Sequence, residues 1–156
     1  MPANWLPVPH HKQTEGAADC LAACAAMVLD FLGVPAPYRQ LVSLLDIQEF
    51  GAPASNLRNL TALGLRVSYG PSSLDELARH IASRQPCIVP VFTGELSYWT
   101  QATDHAVVVV GLDEQTVYVN DPYFDQAPQG IPLAEFILAW LEKDYRCAVI
   151  SQLATG

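Results

Sequence analysis

Four cysteines and four histidines stand in this chain, and their spacing decides which of them could do chemistry. Cys20 and Cys24 fall one helical turn apart in QTEGAADCLAACAAM, residues 13–27, an alanine-rich stretch with helical periodicity. Three chemistries recruit thiols set this way: a metal site, a disulfide or a nucleophile. Structural zinc uses tighter, paired ligand spacings, and the nearest histidines, His10 and His11, stand in a proline-rich arm that preorganises them poorly. A Cys20–Cys24 disulfide is disfavoured in a reducing compartment. The nucleophile suits the pattern best. Cysteine attacks as the thiolate, its free pKa is about 8.5, and a helix N-terminus or a nearby imidazolium favours the anion. Asp19 is expected to cap the helix, which puts Cys20 at its positive end. Cys24 lies deeper and is expected to face the core, and Cys87 and Cys147 read as small buried hydrophobes.

The base for such a thiol must come from elsewhere in the chain. His80 stands beside Arg79 in a helical stretch and reads as surface, while His10 and His11 are too near the thiol in sequence to be fixed by a separate scaffold. His105 differs. It opens the strongest strand pattern, HAVVVVGL, directly after the loop TGELSYWTQATD, so it is held rigidly yet open to a cleft. The strand TVYVND follows after the hairpin-sized DEQ, so its end lies across from the start of the first strand. Asn120 and Asp121 therefore approach His105, and either could orient the imidazole through its second nitrogen. Alternation sends the two to opposite faces. Pro122, which ends the strand and fixes that corner, favours Asp121. Gln13 stands upstream of Cys20, where its amide, with the Cys20 backbone N–H, could donate to the oxyanion of a tetrahedral intermediate. Tyr98 and Trp99, in the loop before His105, either line the cleft or cover the core.

These residues need elements to hold them. The chain has 156 residues, 51% of them hydrophobic and 15% charged, which suits a single globular domain over residues 1–156 and argues against disorder. A net charge of −8 without a basic run makes nucleic acid and anionic membranes poor partners. No secretory signal or membrane-length apolar run is visible, so a cytoplasmic protein with reduced cysteines is expected. Helices are expected from Asp19 to Gly33, from Pro37 to Leu45, over SNLRNLTALG with Ser55 as cap, over SSLDELARHIASRQ with Ser72 or Ser73 as cap, and over PLAEFILAWLEK. LRVSY, CIVPVF, HAVVVVGL, TVYVND and RCAVIS read as strands, and residues 1–12 as an irregular arm. Helices first and strands later is an α+β arrangement, with helices on one side of an antiparallel sheet.

Three of these pieces resemble a known family, the C39 peptidases within the papain-like cysteine peptidases. Gln13 with DCLAACAAM resembles the family's glutamine and D-C-G-x-A-C-x-A-M helix, HAVVVVG its His-plus-valine strand, and VYVNDP its strand ending in Asp-Pro. The segment SNLRNLTALGLRV is also similar to the family's G-L…L-G-L stretch. The resemblance spans roughly residues 13–125. It implies a papain-like cysteine peptidase fold with Cys20 as nucleophile, His105 as base, Asp121 as orienter and Gln13 as oxyanion donor. It also implies a peptide or protein substrate, often cut after a double glycine in a leader peptide, and no cofactor. Two positions depart from the pattern. Leu21 stands where the family usually has glycine, and the step from Gln13 to Cys20 is one residue longer. No transporter segment follows, so a free-standing member is expected. Two other functions stay open: a non-catalytic peptide-binding module on this fold, and another cysteine-dependent acyl transferase such as a transamidase or deamidase.

Overall fold

In the computed structural model, which describes residues 4–153, the alanine-rich stretch forms α1 (Cys20–Leu32). Small side chains let α1 sink against the strands, and Leu21 to Ala25 and Met27 to Leu29 are all buried. Gly33, at φ 77°, ends the helix: its N–H reaches Asp30 O, and Val34 N–H reaches Leu29 O, the paired bonds of a Schellman stop. Asp19 precedes the helix without capping it, contrary to expectation. Its carboxylate is taken by the Thr14 N–H, the Thr14 hydroxyl and the Tyr38 hydroxyl, at 2.7–3.2 Å.

α2 (Tyr38–Leu44) follows, and then a 3₁₀ helix over Ala54–Leu63 where the leucine stripe predicts an α-helix. Leu57, Leu60 and Leu63 recur every third residue, which matches the three-residue turn of a 3₁₀ helix and brings them onto one face. Pro53, not Ser55, stands at its N-terminus, and Gly64 at φ 79° closes it. β1 (Leu65–Pro71) leads to α3 (Leu74–Ala82), capped by the Ser73 hydroxyl accepting from Glu76 N–H at 3.1 Å. Next come β2 (Cys87–Phe92), β3 (Asp104–Leu112), β4 (Thr116–Asn120), β5 (Gln129–Pro132), α4 (Leu133–Leu141) and β6 (Arg146–Gln152). β5 has no counterpart in the sequence reading: four residues with a glycine, a proline and one branched apolar side chain carry little strand signal.

The strands form one sheet in the order β1-β6-β2-β3-β4-β5, antiparallel throughout. β2 and β3 are buried at consecutive positions, so both faces of the sheet's centre are covered, and the one-sided packing expected from the sequence does not hold. α1 lies against β3, and α4 against β2. The N-terminal arm, expected to be irregular, is docked as well. Leu6 and Val8 are buried in the core, Leu6 N–H bonds Val110 O at 2.7 Å, and the Asn120 side chain bonds Val8 O at 3.0 Å. Among the described residues no helix is long and apolar enough to cross a membrane.

Candidate active site

α1 and β3 deliver the thiol and the imidazole to one place. Cys20 is the first residue of α1 and is half-buried, whereas Cys24 is fully buried with its thiol donating to Ala106 O at 3.4 Å. Burial, and after it the charges of Cys20 and Asp121, push the Cys24 thiol well up, so it stays protonated. All four cysteines are free. His105, second in β3, is almost fully buried beside them.

The histidine is held from behind. Its Nε2 hydrogen-bonds Asp121 Oδ1 at 2.7 Å. That leaves Nδ1 free of Asp121, and Cys20 is near enough to help raise the ring. β3 and β4 last pair at Val108 and Asn120, so Asp121 stands one step on, beside Val107, and reaches His105 diagonally on the same face. Asn120 faces away, with its amide on the arm. Asp121 is completely buried and accepts four hydrogen bonds: His105 Nε2 and the Tyr123 N–H on Oδ1, the Tyr98 hydroxyl and Trp99 Nε1 on Oδ2. The Trp99 ring also meets the His105 ring edge-on, with centroids 4.7 Å apart. Tyr98 and Trp99, ambiguous in the sequence, thus belong to the site. No spacing rule could reveal this, since the loop's path decides it.

Burial opposes the charged form of His105, but the hydrogen bond and charge of Asp121, with nearby Cys20 adding to them, outweigh it and raise the imidazole to about 9. Burial likewise opposes the Asp121 carboxylate. Its bonds to His105, then Tyr98 and Tyr123, hold it below the usual carboxylate value all the same. The arrangement therefore favours imidazolium and carboxylate side by side near neutrality.

Cys20 and His105 open into a cleft of about 650 Å³ that Gln13 also lines. Gln13 is tethered at this mouth by its backbone N–H to Pro122 O at 2.8 Å. Its side-chain amide donates to Ala17 O at 2.9 Å, and its Oε1 is buried with no partner. Leu21 is only 2% exposed: it packs into the core while also lining the cleft beside Cys20. His10 and His11 are fixed, contrary to the expectation for the arm, but elsewhere: His10 on Phe124 O, His11 on Asp30. Among the described residues no three His, Cys, Asp or Glu side chains gather as a metal site.

Solved structures share this architecture. A C39-like protein from Bacillus anthracis superposes with a TM-score of 0.80 at 16% identity, covering 96% of each chain. A double-glycine-motif protease from an AMS/PCAT transporter, in complex with the leader peptide, gives 0.74 at 24% identity over 98% of this chain and 97% of that one. The peptidase domain of Streptococcus ComA, a bifunctional ABC transporter of a quorum-sensing pathway, gives 0.75 at 18% over 92% and 98%. The fold is the papain-like α+β fold of C39 peptidases. The chain belongs to that wider family: the model of the Peptidase_C39-like family matches residues 5–148. No curated protein is significantly similar in sequence.

Proposed function

We propose that this protein is a thiol peptidase that cleaves peptide bonds through an acyl-enzyme. The observation that carries the reading is the line from Cys20 through His105 to a buried Asp121, open at its thiol end to the cleft. Cys20 Sγ, as thiolate, attacks the substrate carbonyl carbon, and the carbonyl π electrons move onto oxygen. The Cys20 N–H, at the first helical position and without an intrahelical partner, faces the oxyanion, together with the Gln13 amide. One Gln13 N–H is engaged by Ala17 O, so the second is the one available to substrate. The C–N bond then breaks, and His105 Nδ1 gives its proton to the leaving amine. A water activated by His105 attacks the thioester, the C–S bond breaks, and the acid and Cys20 are released. Asp121 fixes the ring and stabilises the imidazolium throughout.

Peptide is the proposed substrate class, a reading supported by the family and by the leader peptide bound to the transporter protease of the same fold. The chemistry requires a reduced thiol, so the proposal places the protein in a reducing compartment, the cytoplasm. Cys20 should label with an alkylating reagent far faster than the other three cysteines, and peptides digested by the wild type should survive Cys20→Ala. A folded protein in which Cys20 labels no faster than Cys147, and which cuts nothing in a diverse peptide mixture, ends this reading.

A further inference from the structure

Asp121 has two oxygens, and only one of them addresses His105. The other, Oδ2, accepts from the Tyr98 hydroxyl at 2.7 Å and from Trp99 Nε1 at 2.9 Å. Neighbouring residues on an extended chain point apart, so the loop between β2 and β3 must curl to aim both at one atom. It is built to do so. Thr93, 1% exposed, joins the two ends of the loop: its hydroxyl donates to Gln101 O at 2.7 Å and accepts from Thr103 N–H at 2.8 Å. Trp99 N–H turns back onto Leu96 O at 3.1 Å, and α4 steadies the near side, with Glu135 accepting from Ser97 N–H at 2.8 Å. Behind the two donors the Tyr98 and Trp99 rings both pack on Phe124, at 5.2 and 5.3 Å between centroids.

The geometry points to Tyr98 and Trp99 as positioning residues that act through Asp121: a two-pronged clamp that holds its carboxylate ionised and turned toward His105. This rests on the proposed role of His105 and Asp121 and adds a requirement to it. A carboxylate with no exposure cannot be kept charged by His105 alone, because removing the anion from water is costly unless its lone pairs are met. Oδ1 is met by the ring and one backbone N–H; without the clamp Oδ2 has nothing. A half-satisfied Asp121 would share the proton more evenly with His105, and the imidazolium would be lost at lower pH. Hydrogen bonds from neutral side chains therefore set the pH range of an imidazole to which they donate nothing.

Tyr98→Phe tests this, since it removes one hydroxyl and keeps the ring on Phe124. The first readout is independent of activity: the His105 titration midpoint by NMR in a Cys20→Ala background, where the thiol no longer titrates. The midpoint is expected to fall by about one unit in Tyr98→Phe, and further in Asp121→Asn. The second readout is kcat/KM in the active enzyme, expected to drop about tenfold at pH 8 and less at pH 6, where the imidazolium survives. Trp99→Phe removes the other donor to the same oxygen and substitutes for Tyr98→Phe if that variant does not fold. An unchanged midpoint in whichever variant folds overturns the clamp, even if turnover falls. The wild-type reading fails separately: if His105→Ala leaves Cys20 alkylation unaltered, the thiol and ring are not coupled, whatever the clamp variants do.

Discussion

Two buried carboxylates flank the cleft and make opposite use of the same device. Asp19, 5% exposed, closes the loop that enters α1, and every hydrogen bond its carboxylate accepts comes from a neutral donor of Thr14 or Tyr38. Asp121, with no exposure, is likewise ringed by donors, but one of them is the ionisable ring of His105. The first carboxylate can only hold shape. The second also raises the proton affinity of a titratable ring. Burial and a full set of donors do not by themselves mark a functional acid; what distinguishes Asp121 is a titratable partner that opens onto a cleft.

The largest effect expected from breaking this contrast lies in turnover. Asp121→Ala should lower kcat by a factor on the order of 10–10³, less than the ~10⁴ seen when a serine triad loses its orienter's charge, because a thiolate needs less help. Asn120→Ala, its neighbour on the opposite face, should leave turnover nearly intact and cost stability through the lost bond to Val8. Severe loss in Asn120→Ala beside a near-normal Asp121→Ala would reverse the assignment.

The second effect lies in stability against pH. His105 is raised above its ordinary 6.5 to about 9, so its contribution is complete below about pH 6.5 and fades as pH climbs through about 9. Its size is at most on the order of 3 kcal/mol. Asp121 is held low, so its contribution is present above the ordinary carboxylate range and fades on acidification. Chemical denaturation should therefore show stability falling between about pH 6.5 and 9 in the wild type. That alkaline fall should shrink in Asp121→Asn and persist in Asp19→Asn; the same fall in all three proteins would sever the link between His105 and Asp121.

Asp19→Ala strands the Thr14 and Tyr38 donors and should cost about 1–3 kcal/mol, while turnover per folded molecule changes much less. A turnover loss as deep as that of Asp121→Ala would erase the distinction between the two acids. The smallest effect is expected at the thiols. Cys20→Ala should change stability by less than about 1 kcal/mol, and Cys24→Ser by more, since it places a hydroxyl in a fully buried helix face. If calorimetry finds the reverse order, the two cysteines have been given each other's places.

Much of this site was legible because it is local twice over. Cys20 follows from one helix start, and the approach of Asp121 to His105 follows from one hairpin with a short connection, so neither needs knowledge of the whole fold. The rest depends on distant contacts. Asp19 is an acceptable helix cap by type, but Thr14 and Tyr38 outcompete the helix for its oxygens. Tyr98 and Trp99 are aromatic residues in a loop, and only the loop's curl turns two ambiguous side chains into donors for one atom. β5 borrows its strand character from β4, and the arm borrows its order from β3 and β4. The leucines three apart are visible as a stripe, but 3₁₀ helices rarely run to ten residues, so the stripe alone reads as an α-helix.

The docked arm sets the order in which the molecule ages. Val8 O and the Gln13 N–H fasten the chain on either side of Asp121, at Asn120 and at Pro122. An exopeptidase nibbling inward from the amino end would loosen that corner well before it came to Cys20. On the proposed roles, a molecule worn in this way keeps Cys20 and loses the aim of His105, so its turnover fails while much of its core still stands.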